Sequence, residues 1–402
     1  MTQLDVSALR AAFPSLASGI AHFDGPGGTQ TPAAVGAAMA ATLTGPLSNR
    51  GTSILSEQNA EDAVAAFRAA GADLLGAQPE GIVHGRSATQ LAYDFSRHLS
   101  RDWGPGDEIV VTELDHDANV RPWVQAAERT GATLRRLTTD PVTADLRLDD
   151  ELDEVVNDRT RLVAVTGASN LIGTRPDLPR IAARAGEVGA LVYVDGVHLT
   201  AHAAIDIAAL GADFFVCSPY KFFGPHCAML AADPALLETI TPDKLLPSTN
   251  DVPERFEFGT LPYEQLAGVT AAVDFIAGMA PAGMDAAPRR ARIVAAYEVF
   301  DAHELRLRRR IEEILAALGD RVVVHSRAAH RTPTLFATFP GRHSDDVARV
   351  LAERRVHAPS GTFYAYEPAR ALGIDAGLRI GLAPYNDDAE VDRLAEGLAA
   401  AL

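Results

Sequence analysis

Short apolar runs alternate with alanine-rich stretches of helical spacing between about residues 60 and 235. Apolar runs of this length predict strands that are buried on both faces, and strands that alternate with helices favour a parallel sheet. The predicted strands are 81–84, 108–112, 133–137, 161–166, 191–195, 214–217 and 228–231. The predicted connecting helices are 88–100, 120–130, 178–188 and 207–210. The pattern therefore predicts an α/β domain with about seven strands.

The pattern changes after residue 262, where longer helical stretches replace the regular alternation. The predicted elements are helices 266–279, 291–318 and 389–402, with strands 322–325 and 334–338. The Ala-Pro-Ala-Gly stretch at 280–283 is typical of a connection between domains. We predict a large domain over 21–285, a small α+β C-terminal domain over 286–402, and an N-terminal segment, 1–20, that packs on the small domain.

Composition limits the classes of partner. The 402 residues are 47% hydrophobic and 22% charged, which is typical of a globular enzyme, and the formal charge of −17 disfavours nucleic acid and anionic membranes as partners. Because the chain has no basic leader and no apolar run of 18 residues, we expect a cytoplasmic protein. Cys217 and Cys227 provide neither a disulfide framework nor a four-thiolate metal site.

Lysine is rare in this chain. The sequence contains 36 lysine and arginine residues, but only Lys221 and Lys244 are lysines. Lys221 follows an apolar strand and precedes a Gly-Pro turn. A desolvated amine can lose its proton and form a Schiff base with a carbonyl, which a guanidinium cannot do. Lys221 is therefore a candidate nucleophile, and a solvated lysine at a strand end is the alternative.

Other polar residues also lie at strand ends, where parallel sheets present functional groups. Asp195 would pair with a protonated pyridine nitrogen if the cofactor were pyridoxal 5′-phosphate, although it could equally cap the next helix. Ser218 lies three residues before the lysine, and Thr89 lies in the first turn of a predicted helix. Both hydroxyls could bind a phosphate, or could serve only as helix caps.

Three histidines are further candidates for the site. His116 follows a strand end and could stack on a planar ring. His198 and His202 have i, i+4 spacing and, with Asp195, suggest a metal site, but the remaining ligands do not follow at the usual spacing. We therefore predict no metal, and a metal-dependent hydrolase built on these histidines is kept as an alternative.

Several separated motifs carry a family resemblance. Asp-Gly-Val-His at 195–198 and Ser-Pro-Tyr-Lys at 218–221, followed by Gly224-Pro225, resemble the Asp-Gly-x-Gln/His and Ser-x-His-Lys-x-x-Gly-Pro pattern of class V aminotransferases, specifically the cysteine-desulfurase-like enzymes. Further counterparts occur in the same order at 23–30, 113–123, 169–174 and 378–386. The resemblance covers nearly the whole chain.

The resemblance implies a fold-type I pyridoxal-phosphate enzyme, a transferase with a mainly parallel seven-stranded sheet, that works as a homodimer on a small amino acid. Lys221 would form the Schiff base with the cofactor, Asp195 would bind the pyridine nitrogen, and His116 would stack on the ring. His198 would lie near the phenolic oxygen. Thr260 would reach the cofactor of the partner subunit.

The same resemblance implies the remaining contacts. Ala88, Thr89 and Ser218 would bind the cofactor phosphate. Asn170 and Arg379 would bind the substrate carboxylate, and a planar guanidinium suits bidentate binding of that group.

Two positions depart from the family pattern. Cysteine desulfurases carry a cysteine in a mobile loop that takes sulfur from the substrate, but the corresponding segment, 356–365, contains none. Tyr220 stands beside the lysine where the desulfurases usually have histidine. We therefore predict carbon–sulfur lyase or desulfurase-type β-elimination without a protein persulfide. Transamination, epimerisation and a non-catalytic binding subunit of the same fold are the alternatives.

Overall fold

Strands and helices alternate along most of the chain in the computed structural model, which describes residues 4–402. Residues 1–3 of the predicted N-terminal segment lie outside the described residues. The α-helices are α1 Val6–Ala11, α2 Ala33–Thr44, α3 Leu55–Leu75, α4 Ala88–Leu99, α5 Arg121–Thr130, α6 Leu148–Val155, α7 Leu178–Val188, α8 Ile207–Leu210, α9 Pro234–Glu238, α10 Tyr263–Gly278, α11 Arg289–Ala317, α12 Ser344–Glu353, α13 Tyr366–Ala371 and α14 Asp388–Ala401. Among residues 4–402, none of the helices combines the length and the apolarity needed to cross a membrane.

The strands form three sheets. They are β1 Ala21–His22, β2 Ile82–Gly85, β3 Glu108–Thr112, β4 Thr133–Leu137, β5 Thr160–Thr166, β6 Leu191–Asp195, β7 Phe214–Cys217, β8 Ala228–Ala232, β9 Val323–Val324, β10 Thr334–Thr338, β11 Val356–His357, β12 Ser360–Gly361 and β13 Gly377–Gly381. The largest sheet has seven strands in the order β2-β8-β7-β6-β5-β3-β4. Only β8 runs antiparallel to its neighbours in it. The predicted mainly parallel seven-stranded sheet is confirmed.

Helices cover both faces of this sheet. In β3, Ile109 and Val111 pack in the cluster that contains Trp123 of α5, whereas Val110 packs in the cluster that contains Leu266 of α10. Successive side chains of a strand point to opposite faces, so both sets of residues are buried. This burial explains why the strands appear in the sequence as continuous apolar runs.

A second core lies in the C-terminal part of the chain. Strands β12-β13-β10-β9 form an antiparallel sheet, and a parallel pair joins β1 to β11. Leu307 of α11 packs in this core with Leu351 and Leu394, while Phe300 of the same helix packs against the large sheet. Helix α11 therefore contributes to both cores, and the domain boundary at residues 285 and 286 stays a prediction.

The N-terminal segment contacts both parts of the chain. The ring of Phe13 packs edge-on against the rings of Phe223, 5.2 Å away, and Tyr385, 5.3 Å away. Arg10 Nη1 donates a hydrogen bond to the Tyr385 carbonyl oxygen at 2.7 Å and to Glu390 of α14 at 3.0 Å. The assignment of this segment to the small domain stays a prediction.

Close packing around Gly196, immediately after β6, gives a test of the fold. A β-carbon at Gly196 would lie 1.9 Å from Cζ of Phe215. We therefore expect Gly196→Ala to lower the free energy of unfolding by about 1–3 kcal/mol, measured by urea denaturation. Gly186→Ala is the matched control, because that position in α7 has open space around it and should gain about 0.5–1 kcal/mol. Equal stabilities of the two variants would contradict the packing described.

Candidate active site

The carboxyl ends of the parallel strands open into a cavity of about 550 Å³. Arg379 of β13, Phe363 and Tyr364 from the chain between β12 and β13, and Pro26 and Gly27 from the N-terminal part of the chain also line it. Nine of the ten predicted site residues line this cavity, namely Ala88, Thr89, His116, Asn170, Asp195, His198, Ser218, Lys221 and Arg379. The tenth, Thr260, is exposed in the loop before α10 and does not line it.

Lys221 projects into the cavity from a 3-10 turn, Pro219–Lys221, that follows β7. Its Nζ donates a hydrogen bond to the Pro26 carbonyl oxygen, and only 8% of the residue is exposed. Burial lowers the pKa of the Lys221 amine to about 7. The charge of the Arg379 guanidinium contributes to this decrease in pKa, and the Asp195 carboxylate opposes it. A large share of the amine is therefore unprotonated near neutral pH.

Asp195 is the last residue of β6 and is buried beneath the cavity. Its carboxylate accepts a hydrogen bond from the Val197 amide at 3.0 Å. Burial raises the pKa of Asp195 to about 6, and both this hydrogen bond and the charge of Lys221 limit the rise. The carboxylate is thus ionised above about pH 6 and is suited to a cationic ring nitrogen.

His116 lies at the start of a 3-10 turn after β3. Its Nδ1 accepts a hydrogen bond from the Ala118 amide at 3.0 Å, which places the proton of the neutral ring on Nε2. Burial, with the positive charge of Lys221, lowers the pKa of His116 to about 4. The ring is therefore neutral at physiological pH and can stack on a planar ligand.

Asp115, directly before this histidine, is a buried residue that was not predicted to belong to the site. Asn119 Nδ2 donates to its carboxyl at 2.7 Å, and the Thr112 hydroxyl also donates to it. Complete burial, with a smaller contribution from the charge of the nearby Asp195, raises the pKa of Asp115 to about 8, and these two hydrogen bonds limit the rise. Trp123 Nε1 extends the network by donating to Asn119 at 3.3 Å. The network fixes the turn that carries His116.

Arg379 reaches the cavity from β13 of the small sheet. Its Nη1 donates to the Asn170 carbonyl oxygen at 2.9 Å, and its guanidinium carbon lies 3.7 Å from the ring centroid of Phe363. Burial lowers the pKa of Arg379 to about 9, and the charge of Asp24 opposes the shift. Within residues 4–402, Arg379 Nε and Asn170 Oδ1 have no hydrogen-bond partner. These buried polar atoms suit a ligand carboxylate.

The N-terminus of α4 also lines the cavity. Ser87 caps this helix, and its hydroxyl accepts from the Gln90 amide at 3.1 Å. Ala88 and Thr89 form the first turn of this 12-residue helix, and Ser218 also lines the cavity. The amides and the dipole at a helix N-terminus favour a phosphate.

His198 lies between the two sheets. Its Nε2 lies 3.0 Å from the hydroxyls of both Thr332 and Thr334, and its Nδ1 has no partner in the part of the chain that the structure describes. Burial lowers the pKa of His198 well below its ordinary value, so the ring is neutral. Its neighbour His202 instead binds Glu304 at 3.0 Å.

The arrangement does not support the metal alternative. Within residues 4–402, the group of three residues whose ligand atoms lie within 4.8 Å of one another is His22, Asp24 and His357, which includes none of the histidines singled out from the sequence. Pyridoxal phosphate fits better, because a buried carboxylate, a desolvated amine, a neutral histidine and a helix N-terminus all line one cavity.

The two cysteine thiols lie outside the candidate active site. Cys217 and Cys227 are buried and do not line the cavity. Burial raises the pKa of Cys217 well above its ordinary value and that of Cys227 to about 12. Both thiols therefore stay protonated and unreactive at neutral pH.

Phe363 and Tyr364 of the segment 356–365 also line the cavity, and the sequence did not reveal them as site residues. Both have positive φ angles, +54° and +58°. Nothing in the side-chain pattern of the chain signals this backbone conformation, which orients the two rings. The two adjacent aromatic residues in this cysteine-free loop were the one feature of the sequence that could have indicated a role for the loop in the site.

Known proteins resemble this chain in sequence and in fold. A cysteine desulfurase of Salmonella agona is 31% identical over 344 residues, covering 80% of each chain. The uncharacterized protein MT3887 of Mycobacterium tuberculosis is 30% identical over 405 residues, covering 98% of each. The crystal structure of the cysteine desulfurase CsdA of Escherichia coli superposes with a TM-score of 0.86 at 26% identity, covering 100% of this chain and 99% of that one.

A family model agrees with these similarities. The model for class V aminotransferases matches residues 21–394, which is most of the chain. The predicted cysteine-desulfurase-like enzyme is thereby confirmed, and the alternatives predicted from the sequence are not favoured. The chain belongs to the class V aminotransferase family.

Proposed function

We propose that this pyridoxal 5′-phosphate-dependent enzyme removes the sulfur substituent from Cβ of a cysteine-type amino acid by β-elimination. The observation that carries the proposal is the buried amine of Lys221 in a cavity that Asp195 and Arg379 line and that neither cysteine lines. Such a site can break bonds at Cα and Cβ, but it has no thiol of its own to accept sulfur.

The residues of the large sheet would hold the cofactor. Lys221 Nζ would bond to its carbonyl carbon, and the Asp195 carboxylate would accept a hydrogen bond from its ring nitrogen. The neutral ring of His116 would cover one face, and His198 Nδ1 would approach the phenolic oxygen. Pyridoxal phosphate, when bound, supplies an electron sink for the electron pair of the Cα–H bond.

The part of the cavity that would bind the cofactor phosphate supports a homodimer. Ala88, Thr89 and Ser218 would bind the phosphate, but Thr89 is exposed, so this end of the cavity is open to solvent in one subunit. Thr260 is exposed and lies outside the cavity of its own chain. We place the Thr260 hydroxyl of one subunit at the phosphate of the other, where it would complete the phosphate site.

Lys221 would also move the substrate proton. Its amine is largely neutral above pH 7, so it can take the proton from Cα and return it to the product. The phenol of Tyr220 lies beside it, with Lys221 Nζ 5.1 Å from the ring centroid. Burial raises the pKa of Tyr220 above its ordinary value, so the phenol is not a base at neutral pH. Proton transfer therefore depends on the lysine.

The bond between cofactor and protein can be located directly, because the chain has two lysines. After borohydride reduction of the holoenzyme, we expect one phosphopyridoxyl group per chain, on the peptide that contains Lys221. Peptide mass spectrometry measures it. Lys244→Arg is the matched control and should keep the label, whereas Lys221→Ala should lose it. Label on Lys244, or label retained in Lys221→Ala, would contradict the assignment.

The same rarity of lysine allows the amine to be titrated. The measurement is NMR of cofactor-free protein labelled with ¹³C at lysine Cε. We expect the Lys221 Cε resonance to titrate with a midpoint near pH 7, and the Lys244→Arg variant assigns that resonance. Asp195→Asn should move the midpoint to lower pH, because it removes a negative charge that favours the ammonium form. A Lys221 midpoint near the ordinary value of 10.5 would contradict the burial described.

Products and substrate affinity test the reaction. With cysteine and cystine, we expect pyruvate and ammonium to appear together with released sulfide or persulfide. Arg379→Lys should raise KM about 10- to 100-fold while cofactor absorbance is unchanged, since charged hydrogen bonds to the carboxylate are lost. Keto acid without sulfur release would contradict elimination, and loss of cofactor from Arg379→Lys would contradict the role of Arg379.

A further inference from the structure

The segment Thr362–Tyr364, here called the aromatic segment, adopts an unfavourable backbone conformation. Phe363 and Tyr364 have φ angles of +54° and +58°, in the left-handed region that residues other than glycine rarely occupy. Two such residues in succession store conformational energy, which the surrounding structure must offset. Backbone conformations of this kind concentrate at active sites and ligand sites, so the strain points to a functional role for the aromatic segment.

Three contacts hold the aromatic segment against the cavity. The Phe363 carbonyl oxygen accepts from Asn170 Nδ2 at 3.0 Å, and the Tyr364 carbonyl oxygen accepts from the Asp117 amide at 2.9 Å. The ring of Phe363 stacks on the guanidinium of Arg379. The aromatic segment thus connects the carboxylate-binding end of the cavity to the turn that carries His116.

The ring of Tyr364 lies at the surface of the protein beside the ring of His116. It is 78% exposed, and its centroid lies 5.7 Å from that of His116, at the mouth of the cavity. Ala118 and Val197 line the same cavity, so its surface is mainly apolar away from the charged residues. An exposed aromatic ring beside a substrate site offers a contact surface for sulfur and for other rings.

We propose that the substrate is a cysteine thioether whose sulfur carries an aromatic or other apolar group, with Tyr364 binding that group. This inference rests on the proposed β-elimination and specifies its substrate class. Tyr364 both lines the cavity and is exposed to solvent, so its ring can contact a group that extends outward from a substrate sulfur, whereas free cysteine has no such group. Tyr364 is thus a specificity-determining residue.

The reaction balances without an oxidant or a protein thiol. The Cα–H bond breaks, and its electron pair becomes the second bond between Cα and Cβ. The Cβ–S bond breaks with its electron pair on sulfur, which takes a proton and leaves as a free thiol. Water then hydrolyses the remaining enamine to pyruvate and ammonium. Each substrate and one water thus give one thiol, one pyruvate and one ammonium ion.

Steady-state kinetics of the holoenzyme test the substrate class. We expect kcat/KM for S-benzyl-L-cysteine to exceed that for L-cysteine at least tenfold, with benzyl mercaptan and pyruvate formed in equal amounts. An equal or higher kcat/KM for free cysteine would overturn the inference while leaving β-elimination intact. No pyruvate from either substrate, with the cofactor bound, would overturn both.

Variants at position 364 test the residue itself. Asparagine tolerates the left-handed backbone, so Tyr364→Asn removes the ring without adding strain. The ratio of the kcat/KM values for S-benzylcysteine and cysteine should fall about tenfold in Tyr364→Asn and persist in Tyr364→Phe. Tyr366→Ala is the matched control, since Tyr366 is 58% exposed and lies outside the cavity. An unchanged ratio in Tyr364→Asn would overturn the assignment.

A binding measurement separates recognition from turnover. The acid 3-(benzylthio)propanoate has no amine and cannot react, so calorimetry reports its Kd for the holoenzyme. We expect this Kd to be about tenfold lower than that of 3-(methylthio)propanoate, and the difference to disappear in Tyr364→Asn. Equal values of Kd in the wild type would overturn the proposed aromatic contact.

Discussion

The burial of one amine is the constraint on which the site depends. Lys221 occupies a position with almost no solvent, where an ammonium ion is expensive, and its pKa falls to about 7. Burial of Asp195 acts in the opposite direction and raises the carboxyl pKa to about 6. Above about pH 7 the site therefore holds a mainly neutral amine beside a carboxylate anion, whereas a lysine in water would still be protonated at that pH.

The large seven-stranded sheet and the small C-terminal sheet carry different residues of the site. Strands β6 and β7 of the large sheet carry Asp195 and the turn with Lys221, while β13 of the small sheet carries Arg379. Asn170 joins them, since its carbonyl oxygen accepts from Arg379 and its amide donates to Phe363. A change in how the sheets pack would therefore move the Arg379 guanidinium relative to the Lys221 amine.

The sequence predicted the features that depend on local pattern. Both faces of the large sheet are buried, so its strands were visible as apolar runs, and Asp195 and Lys221 were visible as polar residues at strand ends. The network around Asp115 and the stacking of Phe363 on Arg379 depend on distant contacts or on backbone angles, which leave no periodic signal. The sequence pattern assigned helix α11 to the small domain. In the structure its residues contribute to both cores, because the helix is long enough to reach them.

We propose that Lys221 binds the cofactor covalently inside this cavity. The most direct measurement is the absorption spectrum of purified protein after incubation with pyridoxal phosphate and removal of the unbound cofactor, which itself absorbs in this range and is reduced by borohydride. We expect a band near the edge of the visible range that borohydride bleaches in the wild type and that is absent in Lys221→Ala. A protein that remains colourless with added cofactor, or a Lys221→Ala variant with an unchanged band, would contradict the account.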